Sequence, residues 1–177
     1  MKKVLLASLA LCLAACGDKA KSIPANQLLS TDFESLDGWL GDTPPSLTRE
    51  KAHSGRYSLK VDPSVEYSMG YNMLLGKLSP SKLRKIKLHA WVYLPKGSSD
   101  VVLVTQVTDP TSTEKPLMWD GFRLADQVKE NNEWVNVEKE IVLPENVNYT
   151  NKFSIYLWRT NAPNSAFVDD ITIDKVE

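Results

Sequence analysis

Chemistry in this chain falls to carboxylates and aromatic rings. Only two histidines are present, His53 and His89. His89 alternates with Lys87 along a strand-like stretch and reads as solvated; His53 lies in a turn, where packing or a hydrogen bond is expected. No Gly-x-Ser-x-Gly elbow, His-Glu-x-x-His pair or phosphate-cradling glycine loop occurs. Acid pairs stand at Asp169–Asp170 and Glu138–Glu140. A glycosidase needs two carboxylates flanking a cleft, about 5–10 Å apart. No pair is singled out for that task, and the chain reads as non-catalytic.

The closing stretch FVDDITI, residues 167–173, poses the sharpest question. It reads as a buried strand. Strict alternation places Phe167, Asp169, Ile171 and Ile173 on one face, with Val168, Asp170 and Thr172 on the other. Asp169 then shares a face with three apolar side chains, and an unpaired carboxylate there would cost several kcal/mol or take up a proton. Backbone amides of a turn or the guanidinium of Arg56 could balance it.

The aromatic residues divide by strand face. Trp91 and Tyr93 lie opposite Ile86, Leu88, Ala90, Val92 and Leu94 in KIKLHAWVYLP; Tyr156 and Trp158 lie opposite Phe153, Ile155 and Leu157 in FSIYLWR. In LMWDGFRLA, Trp119 and Arg123 share a face, and Phe122 and Leu124 take the other. Three strands thus carry an aromatic surplus on the side away from the core. Such rings can pack under a loop. On neighbouring strands of one sheet they would instead form a platform, with Arg123 and Gln106 as hydrogen-bond donors. Trp39 and Trp134 stand beside turn signals and are expected to be structural; Tyr57 and Tyr71 fit either role.

The elements that must position these residues are nearly all strands. VVLVTQVT is rich in β-branched residues, and WVNVEKEIVLP alternates Val135, Val137, Ile141 and Leu143 against Asn136, Glu138 and Glu140. Shorter candidates are LLSTDFE, SLTRE, YSLKVD, YNMLLG and DGFRLA, separated by turn clusters such as GDTPPS and PKGSSD. About ten short strands without an amphipathic helix mean an all-β sandwich or barrel. SPSKLRK is the one candidate for a helical turn. No repeat or long linker divides the stretch, so residues 28–177 read as one domain.

The first residues are of another kind. Lys2 and Lys3 precede an apolar run from Val4 to Ala15, too short for a permanent bilayer span and suited to a signal peptide. The run ends in LAAC, residues 13–16, which resembles the lipobox of bacterial lipoproteins. That resemblance implies cleavage after residue 15, diacylation (including palmitate) of Cys16, and residues 16–27 as a polar tether. Two acyl chains make a stable membrane anchor. With Cys12 removed and Cys16 acylated, no thiol remains for a disulfide. Gly17 in place of aspartate after the cysteine favours the outer membrane, by likeness to enteric lipoproteins. Loss of Lys2 and Lys3 moves the formal net charge from −1 to −3. No basic patch invites nucleic acid.

Four pieces stand in a telling order: TDFESLDGW, KAHSGRYSLKV, NEWVNVEKEIVLP and IYLWRTNAPNSAFVDDITI. Together they resemble the jelly-roll carbohydrate-binding modules appended to bacterial xylanases and cellulases, over residues 28 to 177. The resemblance implies an all-β jelly-roll β-sandwich of two antiparallel sheets, galactose-binding-domain-like, with no catalytic residues. It implies a calcium ion tying the first strand, the His-Ser-Gly turn and the last strand, at Glu34, the backbone around Ser54 and Arg56, and Asp169, with Asp32 and Asp170 as further contributors. Calcium takes carboxylate and carbonyl oxygens and would stabilise an enclosed aspartate. It also implies a polysaccharide or glycan partner, gripped through Trp119, Trp158, Tyr156, Trp91, Tyr93, Arg123 and Gln106. Sugar rings offer flat C–H faces to aromatic planes and hydroxyls to a few polar groups. The alternative is a structural or assembly lipoprotein that contacts another envelope protein; an apolar rather than mixed aromatic–polar face would mark it.

Overall fold

The computed structural model describes residues 23–36, 38, 41–98 and 100–176. The signal segment, Cys16, most of the tether and Trp39 lie outside the described residues. Among the described residues ten strands run β1 Gln27–Thr31, β2 Leu47–Thr48, β3 Ser58–Val61, β4 Tyr71–Leu74, β5 Lys85–Tyr93, β6 Val101–Thr108, β7 Met118–Arg123, β8 Trp134–Val142, β9 Lys152–Arg159 and β10 Ala166–Val176. They form two antiparallel sheets, as the resemblance implied. One has the order β2-β3-β10-β5-β8, with β1 also on β10; the other is β4-β9-β6-β7. The helical turn forms at Leu75–Leu78, just ahead of SPSKLRK, where it was expected.

Alternation drives the packing. In β5, Ile86, Leu88, Ala90 and Val92 are all buried, and their neighbours are half-buried. They meet Phe153, Ile155 and Leu157 of β9 and Val101, Leu103 and Val107 of β6 in one core. On the far face of the six-stranded sheet, β-branched packing gives way to cross-strand ion pairs. Lys85 meets Glu140 at 3.1 Å and Lys87 meets Glu138 at 2.9 Å. His89, read as solvated, is instead half-buried between Glu138 and Asp174, at 3.5 and 3.7 Å. One edge of the sandwich is closed by charge. Lys139 points inward from edge strand β8 and reaches Asp120 of edge strand β7 at 2.7 Å. An inward lysine also discourages edge-to-edge pairing with another chain.

The alternation assigned to FVDDITI breaks in its middle. Phe167 and Asp169 pair with Tyr93 and Trp91, and Val168 pairs with Val92; the register then shifts before Thr172 meets His89. Asp170 sits in the left-handed region, with φ 46°. This bulge turns the strand over. Val168, Ile171 and Ile173 belong to the core, whereas Phe167 and Asp169 face away from it, on the outer side of the six-stranded sheet. The kink falls where β10 changes partner on its other side, from β3 at residues 166–168 to β1 at residues 171–174. Asp169 is nonetheless 0% exposed, because the segment around His53 covers it.

Candidate functional site

The outer face of the four-stranded sheet assembles a cleft from residues far apart in sequence. Strand pairing lays them in rows. Arg123, Val102 and Trp158 lie side by side across β7, β6 and β9, and an isolated bridge adds Tyr67 next to Trp158. Gly121, Val104 and Tyr156 form the next row; Trp119, Gln106, Ser154 and Asn72 form the third. Period-two alternation delivers all of these to one face. Val102 and Val104 lie on this face and are still buried, so the rings beside them act as their cover.

Tyr67, Trp119, Tyr156 and Trp158 line an open cleft of about 470 Å³. Trp119 and Tyr67 are half exposed, at 50% and 51%. The Trp119 and Trp158 planes stand nearly perpendicular, 80° apart with centroids at 6.4 Å; Tyr67 lies parallel to Trp158 within 5°, centroids at 6.1 Å. Two orthogonal planes make a corner for a flat ring. Polar atoms edge the corner. The Tyr156 hydroxyl makes a long contact to Gln106 Oε1 at 3.5 Å, and the Trp158 indole N–H makes one to Glu66 at 3.4 Å. Both are weak by geometry, so each group has capacity left for a ligand. Partial desolvation among the rings, then the charge of Glu66, raises the pKa of the Tyr67 phenol.

Gly121 decides where Trp119 lies. A Cβ added at Gly121 would stand 2.4 Å from Cη2 and 2.7 Å from Cζ3 of that indole. The ring thus occupies the space a side chain would take and lies back along β7. Gly121→Ala is expected to displace the indole and weaken ligand binding about tenfold, with melting little changed because an exposed ring can swing aside. A binding titration alongside a melting curve checks this; unchanged affinity would show that the position of Trp119 does not matter.

The seven predicted contact residues do not all meet. Trp119, Tyr156, Trp158, Gln106 and Arg123 share this face. Trp91 and Tyr93 do not, because β5 belongs to the six-stranded sheet. There Trp91 stacks on His53, centroids 3.9 Å apart and planes within 12°. Tyr93 packs edge-on to Trp134 and Phe167 under the Lys51 ammonium. Alternation alone cannot tell one sheet's outer face from the other's. Trp134 is half-buried in this cluster, Tyr57 is in the core, and Tyr71 packs against the core. Tyr67 went unpredicted: it lies outside every strand, in SVEYSMG, and only its bridge to Trp158 brings it to the cleft.

The residues expected to hold calcium come together as a hydrogen-bonded clasp. Asp169 Oδ2 accepts the amide N–H groups of His53 at 2.8 Å and Ser54 at 3.2 Å, and Oδ1 accepts that of Asp170 at 2.7 Å. Glu34 Oε1 accepts the amides of Arg56 and Tyr57 at 2.6 and 2.7 Å, and the Arg56 Nε–H reaches Oε2 at 3.4 Å. Gly55, at φ +57°, leaves room for the Glu34 carboxylate, which lies 2.5 Å from where its Cβ would be. Asp170 accepts the Ser54 hydroxyl at 2.7 Å and pairs with His53 Nδ1 at 2.5 Å. Asp32 accepts the Glu34 amide at 3.2 Å. Burial raises the pKa of Asp169, and the three amides offset part of that. The Arg56 amide leads the groups that lower the pKa of Glu34.

Both carboxylates expected to bind calcium are engaged by amides of the turn. The turn aims N–H groups at both carboxylates, and positive amide ends repel a cation. Melting in EDTA and in excess calcium is expected to agree within about 2 °C, less than 1 kcal/mol for a domain of this size. A calcium-dependent rise of about 5 °C or more would assign the ion.

No known protein family matches the chain, and no curated protein does. Solved structures do. The CBM22-1 xylan-binding domain from Paenibacillus barcinonensis Xyn10C aligns at 20% identity and TM-score 0.53, over 86% of this chain and 96% of that one. The C-terminal family 22 carbohydrate-binding module of Clostridium thermocellum Xyn10B aligns at 13% identity and TM-score 0.53, over 88% and 96%. A family 16 carbohydrate-binding module aligns at 18% identity and TM-score 0.51, over 80% and 92%. The likeness is one of fold. It agrees with the two antiparallel sheets described above and leaves the ligand to the chain's own residues.

Proposed function

We propose that this protein is a non-catalytic module that binds a polysaccharide or glycan in the cleft of Tyr67, Trp119, Tyr156 and Trp158. One observation carries the reading: four aromatic side chains converge on the outer face of one sheet, two of them half exposed. Trp158 and Tyr156 cover Val102 and Val104, but Trp119 and Tyr67 leave half their surface in water, and exposed apolar surface of that kind marks interaction sites. Sugar rings present the complementary surface, and Gln106, Asn72 and Arg123 supply polar groups on the same face. An assembly surface for another envelope protein would call for an apolar patch, and this mixture of rings and amides is not one. Glu66 stands beside the rings, against the Trp158 N–H; glycoside hydrolysis would call for a second carboxylate across the cleft. The solved structures of like fold include xylan-binding domains, which supports the polysaccharide class.

The reading includes an envelope location. LAAC at residues 13–16, after a short apolar run, supports lipid on Cys16 and outer-membrane anchoring of the domain through the tether. Affinity electrophoresis and calorimetry of the purified protein against a panel of plant and bacterial polysaccharides test the binding. Retardation by at least one polymer is expected. No binding across the panel, with cross-linking to one envelope protein instead, would favour the assembly role.

A further inference from the structure

Stacking leaves one group on the cleft face unused. Arg123 is exposed, on the face of Trp119, and lies opposite Val102, whose other neighbour is Trp158. Among the described residues no hydrogen bond, ion pair or ring contact holds its guanidinium. Of the other four arginines three are committed, Arg49 to Tyr57, Arg56 to Glu34 and Arg159 to the Ala162 carbonyl, and Arg84 is exposed just ahead of β5 of the other sheet. The indole of Trp119 covers Gly121, which stands directly between residue 119 and Arg123 on that face. A flat hydrocarbon surface therefore runs along β7 toward a free cation. Charge in the cleft is lopsided. Glu66, next to Tyr67 on the side of the cleft away from β7, faces the Trp158 N–H.

We propose that the cleft prefers a glycan carrying a carboxylate, with a uronate sugar seated at the β7 rim against Trp119 and Arg123. This rests on the glycan reading above. A guanidinium presents parallel N–H donors that match a carboxylate two to two. Neutral hydroxyls are served by amides such as Gln106 and Asn72 and do not need a cation. Arg123 then acts as the specificity residue, and the rings supply the affinity common to charged and neutral chains.

The probes are glucuronoxylan and alginate, each paired with its carboxyl-reduced counterpart, titrated against the full chain at low salt. The charged polymer of at least one pair is expected to bind about five- to tenfold tighter, as one exposed charge-assisted contact allows. Arg123→Gln should bring both members of that pair to the weaker affinity. Arg84→Gln, which removes an exposed arginine between the helical turn and β5, should keep the preference and so exclude a general charge effect. Equal affinity of the unaltered protein for charged and reduced polymers overturns the proposal and leaves the glycan reading intact. A preference that survives Arg123→Gln overturns it too. No binding to any of the four, with binding to another polysaccharide of the panel, overturns this inference alone; no binding to any polymer overturns the glycan reading with it.

Discussion

Trp158→Ala is expected to weaken polysaccharide binding by about 30-fold or more, the loss typical when a central aromatic anchor is removed. Trp158 is the ring that touches most of the site. It stands across from Trp119, parallel to Tyr67, and beside Val102. Its loss removes a stacking plane and frees Tyr67 as well. Because it also covers Val102, some stability should go with it, so melting must be measured in parallel. Trp119→Ala provides the cleaner comparison. That ring is half in water, and its removal should cost binding about tenfold with melting almost unchanged. Calorimetry on a polymer that binds the unaltered protein reads both. If neither substitution alters affinity, the cleft is not where the glycan sits.

The largest stability effect is expected at Asp169. Its carboxylate is the acceptor for three backbone amides from two segments that are adjacent only in the folded chain. Asp169→Ala orphans all three, at about 1–3 kcal/mol for each amide that water cannot reach. Removing a buried carboxylate also relieves a desolvation cost, which is why its pKa stands above the ordinary value. The two effects oppose. The amides win because three donors lose their acceptor and the turn around His53 loses its amide ties to β10. A net loss of about 2–4 kcal/mol is expected, or roughly 5–12 °C in Tm for a domain of this size. Asp169→Asn keeps one oxygen for two of the amides and should lose about half as much. Chemical denaturation of the two variants measures the order. Full stability in the alanine variant would mean that the turn rehydrates freely and the clasp does not hold the fold.

The clasp also gives the question raised by FVDDITI a physical answer. The carboxylate among apolar residues was an artefact of assuming one register through the whole strand. A single left-handed residue, Asp170, inserts a bulge, and Asp169 leaves the core face altogether. Nothing in the local pattern announces this, because two successive aspartates in a strand read the same with or without a bulge. The cause is nonlocal: β10 must leave β3 and take up β1 within two residues. At the gap between those partners, a side chain supplies the acceptors that a neighbouring strand would otherwise provide. The balance came from backbone amides of the turn, one of the options open from the residues alone.

The amino-acid sequence by itself determined which residues point inward and which outward on the long strands that keep one register, and failed on β10, where the bulge at Asp170 breaks the alternation. Period-two alternation is a property of the extended backbone, so Ile86, Leu88, Ala90 and Val92 of β5 and Phe153, Ile155 and Leu157 of β9 could be assigned to the core without knowing their neighbours. It likewise put Trp119, Tyr156, Trp158, Gln106 and Arg123 on faces turned away from the core. Only the tertiary structure decided which of those outward faces are the same one. Strand order separates β5 from β7 and β9, so Trp91 and Tyr93 pack around His53 on the opposite side of the sandwich. The bridge between residues 67 and 158 recruits Tyr67 from a loop. A face belongs to one strand and is written in its alternation; a site belongs to several strands, and their pairing depends on the free energy of the whole packed chain.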